Sequence, residues 1–178
     1  SKDTPVPIFY RDADYDLQYN EDINYILENT KILHFSSWPL SQHKSRETME
    51  KVLEEGRKNN ILIGFDPNYH PMIWEKDHDG IKKVDIIKPS EVDAERLFGE
   101  DSPENQVKKF VDLGAKLVIM TLGKDGAIVT NGKETLKFET LAKEIVDTTG
   151  AGDAFWSGFY TGITKGHNLK KSLELGFA

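Results

Sequence analysis

Short apolar runs that alternate with longer stretches of helical period constrain this chain more than any other feature. The runs are Ile32–Phe35, Ile61–Phe65, Val84–Ile87 and Leu117–Thr121, all rich in Ile, Leu or Val. Strands buried on both faces read as continuous apolar runs, and their alternation with helices marks an α/β fold with a largely parallel sheet. Between the first two runs, residues 41–60 place Met49, Val52 and Leu53 on one face amid Glu, Lys and Arg. That pattern predicts a crossover helix packed on the sheet. A second helix is predicted from Ser90 to Phe98, after Lys88-Pro89 and before Gly99. Ser102-Pro103 opens a third, with Ser as N-cap and Pro at the first helical position, and Gly114 ends it.

Beyond Thr121 the pattern changes. Ala127–Thr130, Asn131-Gly132 and Glu134–Phe138 predict a hairpin closed by a tight type I′ turn, so the sheet becomes mixed on one side. Glu144–Val146 is strand-like, and two helices follow, Ala151–Lys165 and Asn168 onward. At 178 residues the chain has the size of a single domain. It ends in helical period with apolar residues unspent and begins on an extended, Pro-containing piece, Pro5–Tyr10, so a piece of a longer chain is expected.

Composition narrows the function classes. The 23 Lys and Arg stand against 30 Asp and Glu, a net charge of −7 with no block of one sign. Nucleic acid and anionic membrane are therefore not expected as main partners. With no cysteine there is neither a disulfide framework nor a Cys-based zinc site. No apolar run has the length of a membrane span and the N-terminus lacks a signal-peptide pattern, so a cytoplasmic location is expected.

The segment that carries chemistry is Val146–Gly158, VDTTGAGDAFWSG. Gly150-Ala151-Gly152 falls between a strand-like stretch and a helix, where small residues let an anion approach the helix N–H groups and the dipole favours it. Asp153 occupies the first turn beside that site. A carboxylate next to a bound phosphate is repelled by it, yet an enzyme that takes a proton from a hydroxyl while that hydroxyl attacks phosphorus needs this combination. The structural alternative is a tight strand-to-helix turn with Asp153 complementing the dipole.

The wider string DTTGAGDAFWSGF closely resembles the C-terminal signature of the ribokinase-like (PfkB) carbohydrate kinases. The resemblance implies a three-layer α/β/α fold with a mostly parallel, doubly wound sheet, and one partial kinase domain over residues 1–178. It implies that Gly150, Ala151 and Gly152 form an anion hole for the transferring phosphoryl group and that Asp153 is the general base on the sugar hydroxyl. Other stretches match in the family's order. Thr121-Leu122-Gly123-Lys124-Asp125-Gly126 is similar to the TLGxxG loop, which implies ATP-phosphate contacts at Thr121, Gly123, Lys124 and Gly126; an ordinary Gly turn is the alternative.

Residues 65–74, FDPNYHPMIW, look like the FDPNYRPxLW segment of fructokinases and 2-keto-3-deoxygluconate kinases. This implies an ATP role for Asn68 and puts His70, in place of the usual Arg, near the substrate. An imidazole cannot make the bidentate anion contact of a guanidinium, which favours a neutral sugar such as fructose over a keto-acid. Phe9-Tyr10-Arg11 resembles the sugar-facing FYR segment, so Arg11 is expected to reach towards substrate oxygens, unless it is simply solvated.

Ser90 and Asp93 stand where the family has the Asn and Glu of PNxxE, implying a magnesium role through water, with Glu91 as a substitute and an N-cap with a first-turn acid as the alternative. Asp147 and Thr149 fall where family members hold a monovalent cation, usually potassium.

The expected function is ATP-dependent phosphorylation of a sugar hydroxyl with magnesium and potassium, fructose to fructose 6-phosphate first and 2-keto-3-deoxygluconate second. The small β lid of the family is missing from this stretch, and the resemblance leaves room for a homodimer through it. A non-catalytic nucleotide- or sugar-binding regulator is the competing class. A dinucleotide-binding oxidoreductase is disfavoured, since no GxGxxG follows the first strand.

Overall fold

The computed structural model describes residues 10–71, 81–140 and 148–178. In chain order the elements are α1 (Glu21–Glu28), β1 (Ile32–Ser36), α2 (His43–Lys58), β2 (Leu62–Asp66), β3 (Ile86–Ile87), α3 (Glu91–Phe98), α4 (Pro103–Asp112), β4 (Leu117–Thr121), β5 (Ala127–Thr130), β6 (Thr135–Phe138), α5 (Ala151–Thr164) and α6 (Leu169–Phe177). They fall into two compact units, Ser1–Thr121 with Ile128–Leu136 and Leu122–Ala127 with Lys137–Ala178.

The strands form one six-stranded sheet in sequence order, β1 to β6. The first four are parallel, with Ser36 opposite Asp66, Phe65 opposite Ile87, and Ile87 opposite Val118. Right-handed crossovers between neighbours in this order put α2 and the α3–α4 pair on the same face. Ile63, Phe65, Ile87, Ile119 and Met120 are completely or almost completely buried, as continuous apolar strands require. On α2, Met49 and Leu53 are buried and Val52 is half-buried, on the side the periodicity assigns to the sheet.

Two expectations need correction, and one helix is added. The run at Val84–Ile87 yields only a two-residue strand, because Val84 N–H turns back to the Ile81 carbonyl and the Asp85 carboxylate accepts from Ile63 N–H at 2.8 Å and from Lys116 Nζ at 2.6 Å. The β5–β6 connection is not a type I′ turn. It spans four residues, Gly132 has φ +81° while Asn131 stays at negative φ, and Asn131 Oδ1 accepts from the N–H groups of Lys133 and Glu134, both at 2.9 Å. The Asn side chain thus closes the loop locally and removes the need for a left-handed Asn. Helix α1 was not expected, although Asn20 caps it by accepting from Ile23 N–H at 3.2 Å. The predicted strand at 144–146 and the extended piece before Tyr10 lie outside the described residues.

Ser102 caps α4 by accepting from Asn105 N–H at 3.3 Å, with Pro103 at the first helical position. Replacing Ser102 with Ala leaves that donor to solvent and is expected to cost about 1 kcal/mol. In a thermal melt this reads as a fall of roughly 2–4 °C in Tm.

In the second unit α5 packs on α6 at backbone distance. A Cβ at Gly158 would sit 2.1 Å from the Leu175 carbonyl oxygen, and one at Gly162 would sit 2.6 Å from Ser172 Cα. Phe155 contacts Phe177 with ring centroids 4.8 Å apart, and Phe177 stacks on Phe138 at 5.0 Å.

Candidate active site

Parallel strands deliver their carboxyl ends to one edge of the sheet, where α/β proteins place ligands. Here that edge gathers Ser36 and Ser37 after β1, the loop Pro67–Pro71 after β2, and Lys88-Pro89-Ser90 after β3. They border an open cleft of about 550 Å³ lined by Ser36, Ser37, Trp38, Asn68, Tyr69, His70, Ser90, Val92, Asp93 and Arg96. Asn68, His70, Ser90 and Asp93, singled out from the sequence, therefore meet in one place. Thr121 joins them at the end of β4: it pairs with Ser90 in a parallel bridge, and its N–H donates to the Pro89 carbonyl at 3.0 Å.

Beneath this edge lies a charge pair that the sequence reading did not assign. Lys88 Nζ stands 3.1 Å from Asp66 Oδ2, with both side chains less than a tenth exposed. A buried ammonium needs such a partner, because desolvation alone would strip its charge. The signal was an Asp ending one apolar run and a Lys ending the next, which adjacent parallel strands must bring side by side.

Ser90 and Asp93 make the contacts of the capping alternative. Ser90 Oγ accepts from Asp93 N–H at 3.1 Å, while Asp93 Oδ2 accepts from Ser90 N–H at 2.9 Å and from Ser90 Oγ–H at 2.7 Å. Asp93 Oδ1 accepts from Tyr69 N–H at 2.7 Å. The carboxylate is buried and its hydrogen bonds go to the protein. Among the described residues no group of three His, Asp or Glu could hold a metal ion. The Asp93 oxygens are engaged by the cap and by the Tyr69 peptide, and Glu91 is exposed on the first turn of α3.

Arg11 is largely committed to the protein. Its Nε donates to Asp14 Oδ2 at 2.8 Å, Nη1 donates to Ser41 Oγ at 2.6 Å, Nη2 also meets Asp14, and the guanidinium lies 4.4 Å from the Trp38 ring centroid. It is not a solvated side chain; it backs the tryptophan that lines the cavity. His70 is half-buried, and burial raises the Tyr69 phenol above its ordinary pKa while the nearby Arg96 charge opposes that shift. Met72, Ile73 and Trp74 of the same segment lie outside the described residues.

In the second unit, α5 starts at Gly150 in a left-handed conformation (φ +77°), with nothing within 4 Å of where a Cβ would be. The N-cap residue Gly150 brings no capping side chain, and the N-cap residue of α2 makes no side-chain cap bond either, whereas Asn20, Ser90, Ser102 and Asn168 cap α1, α3, α4 and α6. Ala151 N–H closes the turn onto the Thr148 carbonyl at 3.1 Å. Gly152 follows as the second helical residue, and Asp153 in the first turn is exposed. Thr149 is exposed as well, and Asp147 lies outside the described residues.

The TLGxxG loop divides its glycines by role. Gly123 (φ +57°) faces open space beside exposed Lys124, whereas a Cβ at Gly126 (φ +88°) would meet the Phe138 carbonyl oxygen at 1.9 Å. Leu122 N–H donates to the Gly126 carbonyl at 2.8 Å and closes the loop.

Parallel strands with their loops at one edge, and a glycine-led helix start, define an α/β protein of the ribokinase-like type. The chain belongs to the pfkB family of carbohydrate kinases, whose profile matches residues 6–178. It is 66% identical over its whole length to a protein of Thermoanaerobacterium thermosaccharolyticum named ATP-dependent 6-phosphofructokinase, of which it spans 58%. Among solved structures it resembles the fructokinase of Halothermothrix orenii (38% identity, TM-score 0.77, 94% of this chain and 60% of that one). It also resembles an E. coli protein described as a putative ribokinase II in complex with ATP and Mg²⁺ (26% identity, TM-score 0.75, 86% and 52% covered). No helix among the described residues is long and apolar enough to cross a membrane.

Proposed function

We propose that the protein containing this chain transfers the γ-phosphoryl group of ATP to a fructose-class acceptor, with fructose 6-phosphate as that acceptor. The observation that carries the acceptor is the 66% identity with the relative named ATP-dependent 6-phosphofructokinase. A sugar hydroxyl oxygen attacks the γ-phosphorus, the bond to the ADP oxygen breaks, and the hydroxyl proton passes to Asp153. The α5 N-terminus at Gly150, Ala151 and Gly152 receives the charge that develops in transit. Thr121, Gly123, Lys124 and Asn68 serve the nucleotide phosphates, Gly126 shapes their loop, and His70, with Arg11 behind Trp38, serves the acceptor. Magnesium bound with ATP would offset the charge of its phosphates, with Ser90 and Asp93 close enough to the cavity to meet its waters.

Free fructose is the second reading, favoured by an imidazole at position 70 and by the 38% identity with a fructokinase. Release of ADP by the full-length protein separates the two. The expected outcome is a kcat/KM at least about tenfold higher for fructose 6-phosphate than for fructose, because a site built around a charged group loses that contact with the neutral analogue. The reverse ratio assigns fructose. No ADP with either sugar, or with 2-keto-3-deoxygluconate, removes the kinase reading and leaves a binding protein. The potassium proposal rests on Asp147 and Thr149, and equal turnover in sodium and potassium would remove it.

A further inference from the structure

We propose that Arg96 and Asp93 are positioning residues that clamp the two peptides flanking Tyr69 and so set Asn68 and His70 independently. The kinetic part of this proposal rests on the kinase reading above; the clamp itself does not.

Asp93 and Arg96 are three residues apart on α3 and therefore share a face. Asp93 Oδ1 accepts from Tyr69 N–H at 2.7 Å, holding the Asn68–Tyr69 peptide. Arg96 Nη1 donates to the Tyr69 carbonyl at 2.9 Å, holding the Tyr69–His70 peptide. From β1's side, Ser37 Oγ–H reaches the Asn68 carbonyl at 3.4 Å. Asn68 has φ +40°, a left-handed conformation that Asn adopts more readily than other side chains and that these hydrogen bonds hold in place. A loop that merely joined two elements would leave these peptide groups to water. Here side chains from two elements supply the partners, one of them a buried carboxylate whose other oxygen closes the α3 capping box.

The loop and the helix start are thus one hydrogen-bonded assembly, and this explains what a buried acid does at position 93 without a metal. The two clamps act on different neighbours. Asp93 and Ser37 fix the peptide that carries Asn68; Arg96 fixes the one that carries His70. Loss of Arg96 should therefore loosen the acceptor side and spare the nucleotide side.

The test uses the full-length protein with Arg96→Met, which keeps the alkyl stem and removes the donors, and Arg96→Lys, which keeps a charged donor. Expected for Arg96→Met are an acceptor KM raised about tenfold, the size of effect that losing one charge-assisted hydrogen bond carries, an ATP KM within twofold of wild type, and faster amide hydrogen exchange across residues 66–71. Arg96→Lys should recover most of each change. Unchanged exchange in 66–71 for Arg96→Met, or equal increases in both KM values, overturns the clamp. If the wild-type protein phosphorylates no sugar, the kinase reading fails, and the exchange comparison alone decides the clamp. If Arg96→Met does not fold, amide exchange on Arg96→Gln, which removes the charge and shortens the donor's reach, decides it, with faster exchange across residues 66–71 supporting the clamp and wild-type exchange overturning it.

Discussion

Asp153→Asn is expected to lower kcat of the full-length protein by about 10²–10⁴-fold, about 3–5 kcal/mol in barrier, while ATP binds as well as in the wild type or slightly better. The amide keeps the shape of the carboxylate but cannot take the hydroxyl proton. It also removes a negative charge from the turn where the phosphoryl group is proposed to pass, so like-charge repulsion falls. Asp153 is exposed at the first turn of α5, so the substitution breaks no packing, and a drop in turnover is a chemical effect. Gly152→Val is expected to behave differently, losing nucleotide affinity and turnover together, because its side chain would stand where the anion approaches. Rates from ADP release and ATP affinity from calorimetry, measured on both variants, check the pair. An Asp153→Asn enzyme within tenfold of wild-type kcat removes Asp153 from the base role.

The second large effect is on stability. Gly126→Ala is expected to destabilise the protein by about 3–5 kcal/mol, the sum of a backbone conformation that only glycine adopts readily and a methyl group driven into the Phe138 backbone. Gly123→Ala in the same loop meets open space and carries only the left-handed backbone cost, about 1–2 kcal/mol. Chemical denaturation at fixed nucleotide concentration separates the two variants. Equal midpoints would mean that Phe138 yields to the added methyl and that Gly126 does not set the loop against β6.

Much of this architecture was legible because it rests on local signals. β4 matches its apolar run residue for residue, and Ser102-Pro103 and Asn168 start helices where capping chemistry requires. Gly150 opens α5 with a left-handed turn, where glycine carries no side-chain penalty. The losses come from side chains that act on distant or local backbone. Asp85 takes the place of a strand residue in the β2–β3 pairing, and Asn131 closes its own loop, neither of which hydrophobic period can show. The site was legible as a set of segments but not as contacts. The Asp66–Lys88 pair, the Asp93 bond to Tyr69 and the Arg96 bond to the same residue all join positions 22–27 residues apart, a pairing that only the sheet order reveals. Ser90 and Asp93 were open between metal and cap, and their mutual hydrogen bonds are those of the cap.

The destination of the phosphoryl group decides the activity. Phosphorus NMR of the full-length protein with ATP, magnesium and fructose 6-phosphate follows nucleotide and sugar in one sample. The predicted result is a second sugar phosphate ester that grows in step with ADP, with no free phosphate, and whose growth nearly stops with Asp153→Asn. ADP accompanied by free phosphate and an unchanged fructose 6-phosphate signal would contradict it.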